Sequence, residues 1–515
     1  MLRALSNGGH LPMEAVLIAA REGWRPMTSA GKAETVTPAG PPGRHHLTTF
    51  RLTMITMSII VGVQLAPEVA AEGMGVVFYV MLAFFLFAIP AGLAVSQMVT
   101  NDRRPGGIYS WTREALGDRW GFLAIWLQWA QAVLVMPALL GVSGASAIYA
   151  FSAGASGSRY FLAGFIVTVF WLATLLNLRG MKVSSRISTI GVIFGVAIPA
   201  ALIIGLGVAW LLTGRQEQIS FGFAHAIPDL TTANGLSFVT VSFFLYVGTE
   251  IPAAHIREVD DPRRSYPVAI FSSVVARAAI MICAALAVAA MVPVGNLSFT
   301  AGLMQALEGA LDDFHFSWLV PIVGVMVAVG VFAQASSMMA GPSRAIAASG
   351  RSGDLPPRLQ VWNSHGMPTS ILILQGVVAT VLAGLFLVFD PSDAFFLLNQ
   401  LAGQLYMTMY IVLFVTAIAL QRQRAPAEGS FRIPGGRGGT WVVGLVGAGG
   451  AAFAVVTGFF PPSRYSGAAE LGYYVFLVLT LLIFLAAPFA LYHWRRPSWR
   501  DGQDGGEDAG SHDQG

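Results

Sequence analysis

The chain alternates between long apolar runs and short polar connections. About twelve runs reach about 20 residues, the length that an α-helix needs to cross about 30 Å of hydrocarbon. They fall at 50–71, 75–99, 120–149, 160–178, 187–213, 232–256, 267–293, 318–345, 369–389, 393–420, 440–460 and 470–493. Their continuous hydrophobicity is typical of helices, whereas membrane-spanning strands alternate apolar and polar positions. The pattern predicts an all-α integral membrane protein.

Basic residues occur in alternate connections. Lys and Arg collect in cytoplasmic loops of membrane proteins. The stretch before the first run is rich in them, and so is every second connection after it, whereas the intervening connections hold only Arg159, Arg215 and Arg464. This alternation predicts an even number of spans, with both termini in the cytoplasm.

Composition narrows the function classes. With 55% hydrophobic and 11% charged residues, the chain has too little polar surface for a soluble protein. The net charge of +3 follows from the loop asymmetry, so we expect no nucleic-acid partner. The single cysteine, Cys283, permits no intramolecular disulfide, and the histidines lack ligand spacing, so we expect no metal or cofactor. The chain has no GxxxxGK[ST] loop and no cluster of catalytic residues, so we expect neither an ATP-driven pump nor an enzyme.

Two apolar runs contain an interruption. The sixth leads into LYVGTEIPAAHIREVDDPRRSYP at 245–267, with Gly248, Glu250 and Pro252 within five residues. The first contains IIVGVQLAPEVAAEG at 59–73, with Gly62 five residues before Pro67. A broken helix at membrane depth exposes backbone groups, and such breaks are tolerated where they line a binding site. Breaks at the first and sixth spans are typical of transporters built from two inverted repeats.

Several motifs resemble one family of transporters. RPGGIYSW at 104–111 resembles a loop of the amino acid, polyamine and organocation (APC) superfamily. YVGTE at 246–250, HIREVDDPRRSYP at 255–267, GPSR at 341–344, FRIPGG at 431–436 and FFPPS at 459–463 resemble its bacterial glutamate/GABA antiporter branch. The resemblance implies a five-plus-five inverted-repeat core of the LeuT-like type, with broken helices 1 and 6 and two additional helices.

The resemblance also implies a substrate site at the breaks. An amino acid α-carboxylate would bind N–H groups at the first break, and the α-ammonium would face carbonyls at the second, with two aromatic residues beside them. The residues implied are Ile60, Val61, Gly62, Phe244, Tyr246, Val247, Gly248 and Thr249. For the two aromatic residues, ordinary apolar packing is the alternative role.

Three residues are candidates for coupling or gating. A carboxylate within a span costs about 2.5–3.5 kcal/mol on insertion scales, so Glu250 needs either a gating function or hydrogen-bond partners. Arg277 lies within the seventh run and needs an acid, carbonyls or water. We expect a buried ion pair for Arg277, with an acidic substrate group as the alternative. Gln334 stands where the antiporter branch carries glutamate.

These patterns predict four regions: a disordered cytoplasmic N-terminal segment (1–47), a transport core (48–421), two further spans (422–494) and an acidic, disordered cytoplasmic tail (495–515). The expected function is secondary active amino acid transport across the cell membrane by alternating access, as an antiporter of glutamate/GABA type. The alternative is a proton- or sodium-coupled symporter of amino acids or polyamines, with Ser336 and Ser337 as oxygen ligands for an ion. The expected partners are the substrate and the lipid bilayer, and a homodimer is left open.

Overall fold

A computed structural model describes residues 47–60, 62–102, 106–180, 193–222, 226–259, 261–423, 427, 429–462 and 468–499. Val61, the N-terminal segment before residue 47 and the acidic tail after residue 499 lie outside the described residues. The α-helices are α1 (Thr49–Ile60), α2 (Ala66–Ala70), α3 (Gly75–Asn101), α4 (Gly107–Leu116), α5 (Asp118–Tyr149), α6 (Arg159–Leu178), α7 (Ile198–Leu212), α8 (Ala233–Phe244), α9 (Pro262–Met291), α10 (Gly302–Asp313), α11 (Val320–Ser349), α12 (Thr369–Ala383, continued by Leu385–Val388), α13 (Pro391–Gln423), α14 (Gly436–Thr457) and α15 (Ala468–His493).

Most predicted spans are single long helices. In the described part of the chain, nine helices are long and apolar enough to cross a membrane: α3, α5, α6, α9, α11, α12, α13, α14 and α15. The other predicted spans are the first (α1 and α2), the fifth (α7) and the sixth (α8), which are shorter or interrupted. Beyond two isolated bridges, the described residues form no β-structure. The protein is an all-α membrane protein, as predicted.

The first span is interrupted between α1 and α2. α1 ends at Ile60, Gly62 is extended with φ −152° and ψ 113°, and one 3₁₀ turn at Val63–Leu65 leads into α2. Pro67 stands in the first turn of α2, where its missing N–H leaves no bond unmade. Every residue from Gly62 to Ala70 is buried, so the break lies inside the protein.

The sixth span is interrupted after α8. Residues 245–250 form turns, and Gly248 has φ +93°, which glycine adopts readily and other residues rarely do. The chain then continues as a 3₁₀ helix at Ile251–Glu258, with Pro252 in its first turn. Both predicted breaks are therefore present, but their backbones differ.

Long buried helices surround the two breaks. α5 packs against both α11 and α13, and these three helices form the centre of the molecule. α13 also contacts α8, and α9 contacts both α1 and α2. By contrast, α15 buries little of its surface and lies at the periphery. The breaks are thus enclosed by α5, α9, α11 and α13.

The first residues of the predicted tail pack against the loops. Arg495 lies 3.5 Å from a carboxylate oxygen of Asp118 and 3.4 Å from one of Asp354. Gln360 Nε2 donates to the carbonyl oxygen of Trp499 at 3.0 Å. Residues 495–499 therefore connect the end of α15 to the start of α5 and to the connection after α11.

Candidate functional site

The first break is held to α11 by a side-chain hydrogen bond. Gln64 Nε2 donates to Gln334 Oε1 at 2.8 Å, and both side chains are buried. The N–H groups that open a helix have no partner inside it, so the start of the Val63–Leu65 turn can offer donors to an anion. Gln334, a predicted gating residue, is thus in direct contact with this break.

Glu68 is a second buried acid, and sequence reasoning did not select it. It lies on α2 directly after Pro67 and is fully buried. Asn399 Nδ2 on α13 donates to Glu68 Oε2 at 3.1 Å. The rule that singled out Glu250, a carboxylate inside a span, applies equally to Glu68 and could have identified it.

The second break is held to α13 by Tyr410. The Gly248 N–H donates to the Tyr410 hydroxyl at 3.0 Å, and Thr249 Oγ1 lies 3.1 Å from the same oxygen. The carbonyl of Gly248 accepts a bond from the Ile251 N–H at 3.2 Å. One phenol therefore satisfies the amide that the break exposes at Gly248.

Glu250 accepts three hydrogen bonds from two helices. Gln128 Nε2 on α5 donates to Oε1 at 2.7 Å, and the Tyr406 hydroxyl donates to the same oxygen at 2.5 Å. The Tyr410 hydroxyl donates to Oε2. Glu250 is 2% exposed, so these donors replace the water that its carboxyl group loses on burial. Glu250 therefore bridges the second break, α5 and α13.

A single face of α13 serves both breaks. Asn399, Tyr406 and Tyr410 are seven and four residues apart, and at 3.6 residues per turn they fall within about 40° of one another. Asn399 lies about 10 Å along the axis from Tyr406. Gln400, on the neighbouring face, donates to the carbonyl oxygen of Ser237 on α8 at 3.0 Å. The sequence shows these polar positions, but it does not show which helix they face.

The two predicted aromatic residues are packed inside the protein. Phe244 is buried next to Gly403 of α13. Tyr246 is fully buried, its hydroxyl donates to the carbonyl oxygen of Val80 at 3.3 Å, and its ring meets that of Phe84 edge to face. In this conformation both residues have the packing role that the sequence left as the alternative.

Arg277 does not form the buried ion pair that we expected. Its side chain is 5% exposed, and among the described residues no carboxylate lies within ion-pair distance of it. Its Nε has no hydrogen-bond partner there. Tyr246 is the one titratable group found to interact with it electrostatically among those residues. The prediction of a structural pair is therefore wrong for the described part of the chain.

Ser336 is engaged on the side of α6. Asn177 Nδ2 donates to its Oγ at 3.0 Å and to its carbonyl oxygen at 3.2 Å. Ser336 is buried by this contact. Its hydroxyl is consequently directed to another helix in this conformation, which does not favour the alternative role as an ion ligand. No cluster of metal-binding side chains occurs among the described residues.

Comparison with known proteins decides the family. A sequence model of the family described as "amino acid permease" matches residues 47–485, which include both breaks and every helix up to α14. The chain belongs to the amino acid permease family. It is a secondary transporter of the membrane, and the two breaks lie where the resemblance to that superfamily places them.

Relatives of this permease align along nearly its whole length. An uncharacterized transporter of Legionella pneumophila is 32% identical over 86% of this chain and 96% of its own. A glutamate/gamma-aminobutyrate antiporter of Lactococcus lactis is 29% identical over 87% of this chain and 90% of its own. A probable agmatine/putrescine antiporter of the same species is 23% identical over 77% and 84% of the two chains.

Proposed function

We propose that this permease exchanges amino acids across the cell membrane by alternating access, as an antiporter of glutamate/GABA type. The observation that carries the proposal is the pair of buried breaks, which one face of α13 joins. The relatives named as glutamate/gamma-aminobutyrate antiporters support this choice of substrates.

The proposed site uses the backbone at both breaks. The α-carboxylate of the substrate binds N–H groups that open the second half of the first span, near Ile60, Val61 and Gly62, because helix N-termini favour anions. The α-ammonium faces carbonyls at Val247, Gly248 and Thr249. Phe244 and Tyr246 close the site from the side of α8.

Gating follows from the hydrogen bonds of Glu250. An ionised carboxylate only accepts hydrogen bonds, and all three of its partners donate. A protonated carboxyl group becomes a donor and loses part of its accepting capacity, so at least one of these contacts must reverse its direction or break. We propose that this loosens the second break from α13. On the other side of the site, Gln334 holds the first break through Gln64.

Exchange in proteoliposomes tests the proposal. Vesicles loaded with unlabelled GABA, L-glutamate or buffer are given external labelled L-glutamate, with sodium present or replaced by choline. An antiporter takes up label only when an internal amino acid is present, regardless of sodium. Uptake into empty vesicles that requires sodium or a proton gradient would establish the symporter alternative.

Accessibility labelling tests the proposed orientation, with both termini in the cytoplasm. Cys283 is exposed in the structure, so it is first replaced by serine. Gly309 on α10 and Ser364 before α12 are exposed positions on connections expected to lie on opposite sides. An impermeant maleimide added to whole cells should label Gly309→Cys and not Ser364→Cys. The reverse pattern would contradict the orientation.

A further inference from the structure

Arg277 is a buried cation close to both breaks. Its side chain is 5% exposed, and it interacts electrostatically with Tyr246, two residues before Gly248. A cation at this depth costs several kcal/mol unless its charge is compensated. The helices around it must therefore leave room for an anion, for carbonyls or for water.

The register of α9 places Arg277 on the face that meets the broken spans. Tyr266 donates its hydroxyl to the carbonyl oxygen of Pro252 at 2.9 Å, and Ser273 Oγ lies 3.5 Å from the carbonyl oxygen of Thr53. Arg277 follows these residues by eleven and four positions, so all three side chains leave α9 within about 40° of one another. The face that touches the second break at Pro252 is thus the face that carries Arg277.

Contacts between α1 and α9 show which part of the first span lies beside Arg277. Thr49 Oγ1 lies 2.9 Å from Ser265 Oγ, and Thr53 meets Ser273, so α1 and α9 run in the same direction. Arg277 lies about 6 Å beyond Ser273 along the axis of α9. This position is beside the C-terminal half of α1, shortly before that helix ends at Ile60.

The acids of the chain do not account for this charge. Within the described parts of the spans, Glu68 accepts a bond from Asn399, and Glu250 is held by Gln128 and two tyrosines. The other acids there, Asp393 and Glu470, lie in the first turns of α13 and α15. Asp261 lies at the start of α9, about 22–24 Å from Arg277 along the helix. At positions whose side chains the structure does not describe, acids occur only before residue 47, at 258, 260 and 428, and after 500, all outside the predicted spans.

We propose that Arg277 binds the carboxylate at the far end of the substrate side chain. The inference rests on the proposed exchange of amino acids at the two breaks, and it names the residue that selects among them. L-Glutamate and GABA share an amine and a carboxylate at the other end of a three-carbon chain, and they differ in the α-carboxylate. A cation beside the breaks binds the group that both substrates possess. Arg277 is thus a specificity residue for ω-carboxylate amino acids.

The test compares L-glutamate with L-glutamine, which has nearly the same shape and a neutral amide. Inhibition of exchange by L-glutamate, GABA and L-glutamine is measured in proteoliposomes for the wild type, Arg277→Gln, Arg277→Lys and Arg159→Gln. Arg159 is an exposed arginine at the start of α6 and serves as the matched control. Thermal unfolding of each purified variant is followed in parallel.

The wild type and Arg159→Gln should prefer L-glutamate over L-glutamine by about 10- to 100-fold, the range for hydrogen bonds to a charged group. Arg277→Gln should lose this preference for L-glutamate. Its affinity for GABA should fall by a similar factor, while its affinity for L-glutamine should change little. Arg277→Lys, which keeps the charge, should lie between them.

Three results would overturn the inference. One is an Arg277→Gln variant that keeps the wild-type ratio of L-glutamate to L-glutamine. Another is an equal loss for all three compounds, which would indicate a structural arginine. The third is a wild type that exchanges amino acids but does not distinguish the acid from its amide, and this result needs no variant to fold. A wild type that exchanges no amino acid at all would instead contradict the proposed function.

Discussion

The two breaks share a glycine, a proline and an acid, but they are built differently. Gly62 has an extended backbone that any residue can adopt, whereas Gly248 has φ +93°. Two buried glutamines connect the first break to α11, and the phenol of Tyr410 holds the second break to α13. Similar sequence patterns thus produce two breaks that side chains tie to a neighbouring helix, but only the second also depends on the backbone conformation of its glycine.

Replacing the glycine of each break by valine should give the largest difference between the two breaks. Valine at Gly248 must adopt a left-handed conformation, at a cost of about 1–3 kcal/mol, and its branched side chain adds to the strain. A Cβ at Gly62 would lie 2.6 Å from the flexible Gln64 amide, which can move away. We expect Gly248→Val to abolish substrate binding, and Gly62→Val to weaken it by less than about tenfold.

Binding of labelled substrate to purified protein measures this difference. Gly309→Val on α10 is the control, because a Cβ there meets no neighbouring atom. Equal losses in the two break variants would show that Gly248 is not special, and unchanged binding in both would assign the glycines to helix packing.

The acid of the second break should give the next largest effect. Glu250→Ala leaves three buried donors without their acceptor, at a cost of about 1–3 kcal/mol for each group left unsatisfied. Glu250→Gln resembles the protonated acid in size and in having one accepting oxygen, so we expect a folded protein whose exchange rate varies little with pH. The exchange rate of both variants is measured in liposomes from pH 4.5 to 8, and thermal unfolding shows whether each variant is folded. A Gln variant with the wild-type pH profile would make Glu250 a structural acid.

Glu72 lies in the turn between α2 and α3, outside the spans, and should give a smaller effect. Burial raises the pKa of its carboxyl group to about 7, and the nearby hydroxyl of Tyr79 partly opposes this shift. The folded state therefore binds the proton more tightly than the unfolded state, whose pKa is 4.5. The contribution of Glu72 to stability is therefore greatest below pH 4.5 and falls as the pH rises to about 7, by an amount on the order of 2–3 kcal/mol.

Thermal unfolding between pH 4 and 8 measures the contribution of Glu72. The variant Glu72→Gln should lose this part of the pH dependence, while Glu217→Gln, in the connection after α7, should keep it. A wild type whose stability rises across this interval, with Glu72→Gln unchanged, would contradict the assignment.

The bond between Gln64 and Gln334 should give the smallest effect. Because the two side chains are neutral, their hydrogen bond contributes about 1 kcal/mol. Single and double replacements by alanine should show a coupling energy of about that size in unfolding experiments. A coupling near zero would mean that the first break is held by other contacts.

The sequence was sufficient for the breaks but not for the contacts that hold them. Helix length and the glycine–proline pairs depend on local rules, and the structure agrees with the all-α fold and the two breaks that they predict. The orientation predicted from the basic loops stays a prediction. The partners of Glu250 lie on α5 and α13, more than 120 residues away in either direction, and a single sequence does not report such contacts. The expected ion pair of Arg277 is wrong for the same reason, because the sequence does not report which side chains surround a buried residue.

The most direct test is hydrogen exchange of the backbone at the two breaks. Deuterium uptake by peptides that cover 58–68 and 245–252 is followed by mass spectrometry. It is measured with and without L-glutamate, at a concentration that saturates amino acid transport in liposomes. The account predicts that substrate slows hydrogen exchange in both peptides, because its carboxylate binds backbone groups at the first break and its ammonium group binds those at the second. Protection that is absent from both peptides, or confined to other helices while substrate is bound, would contradict the proposed site.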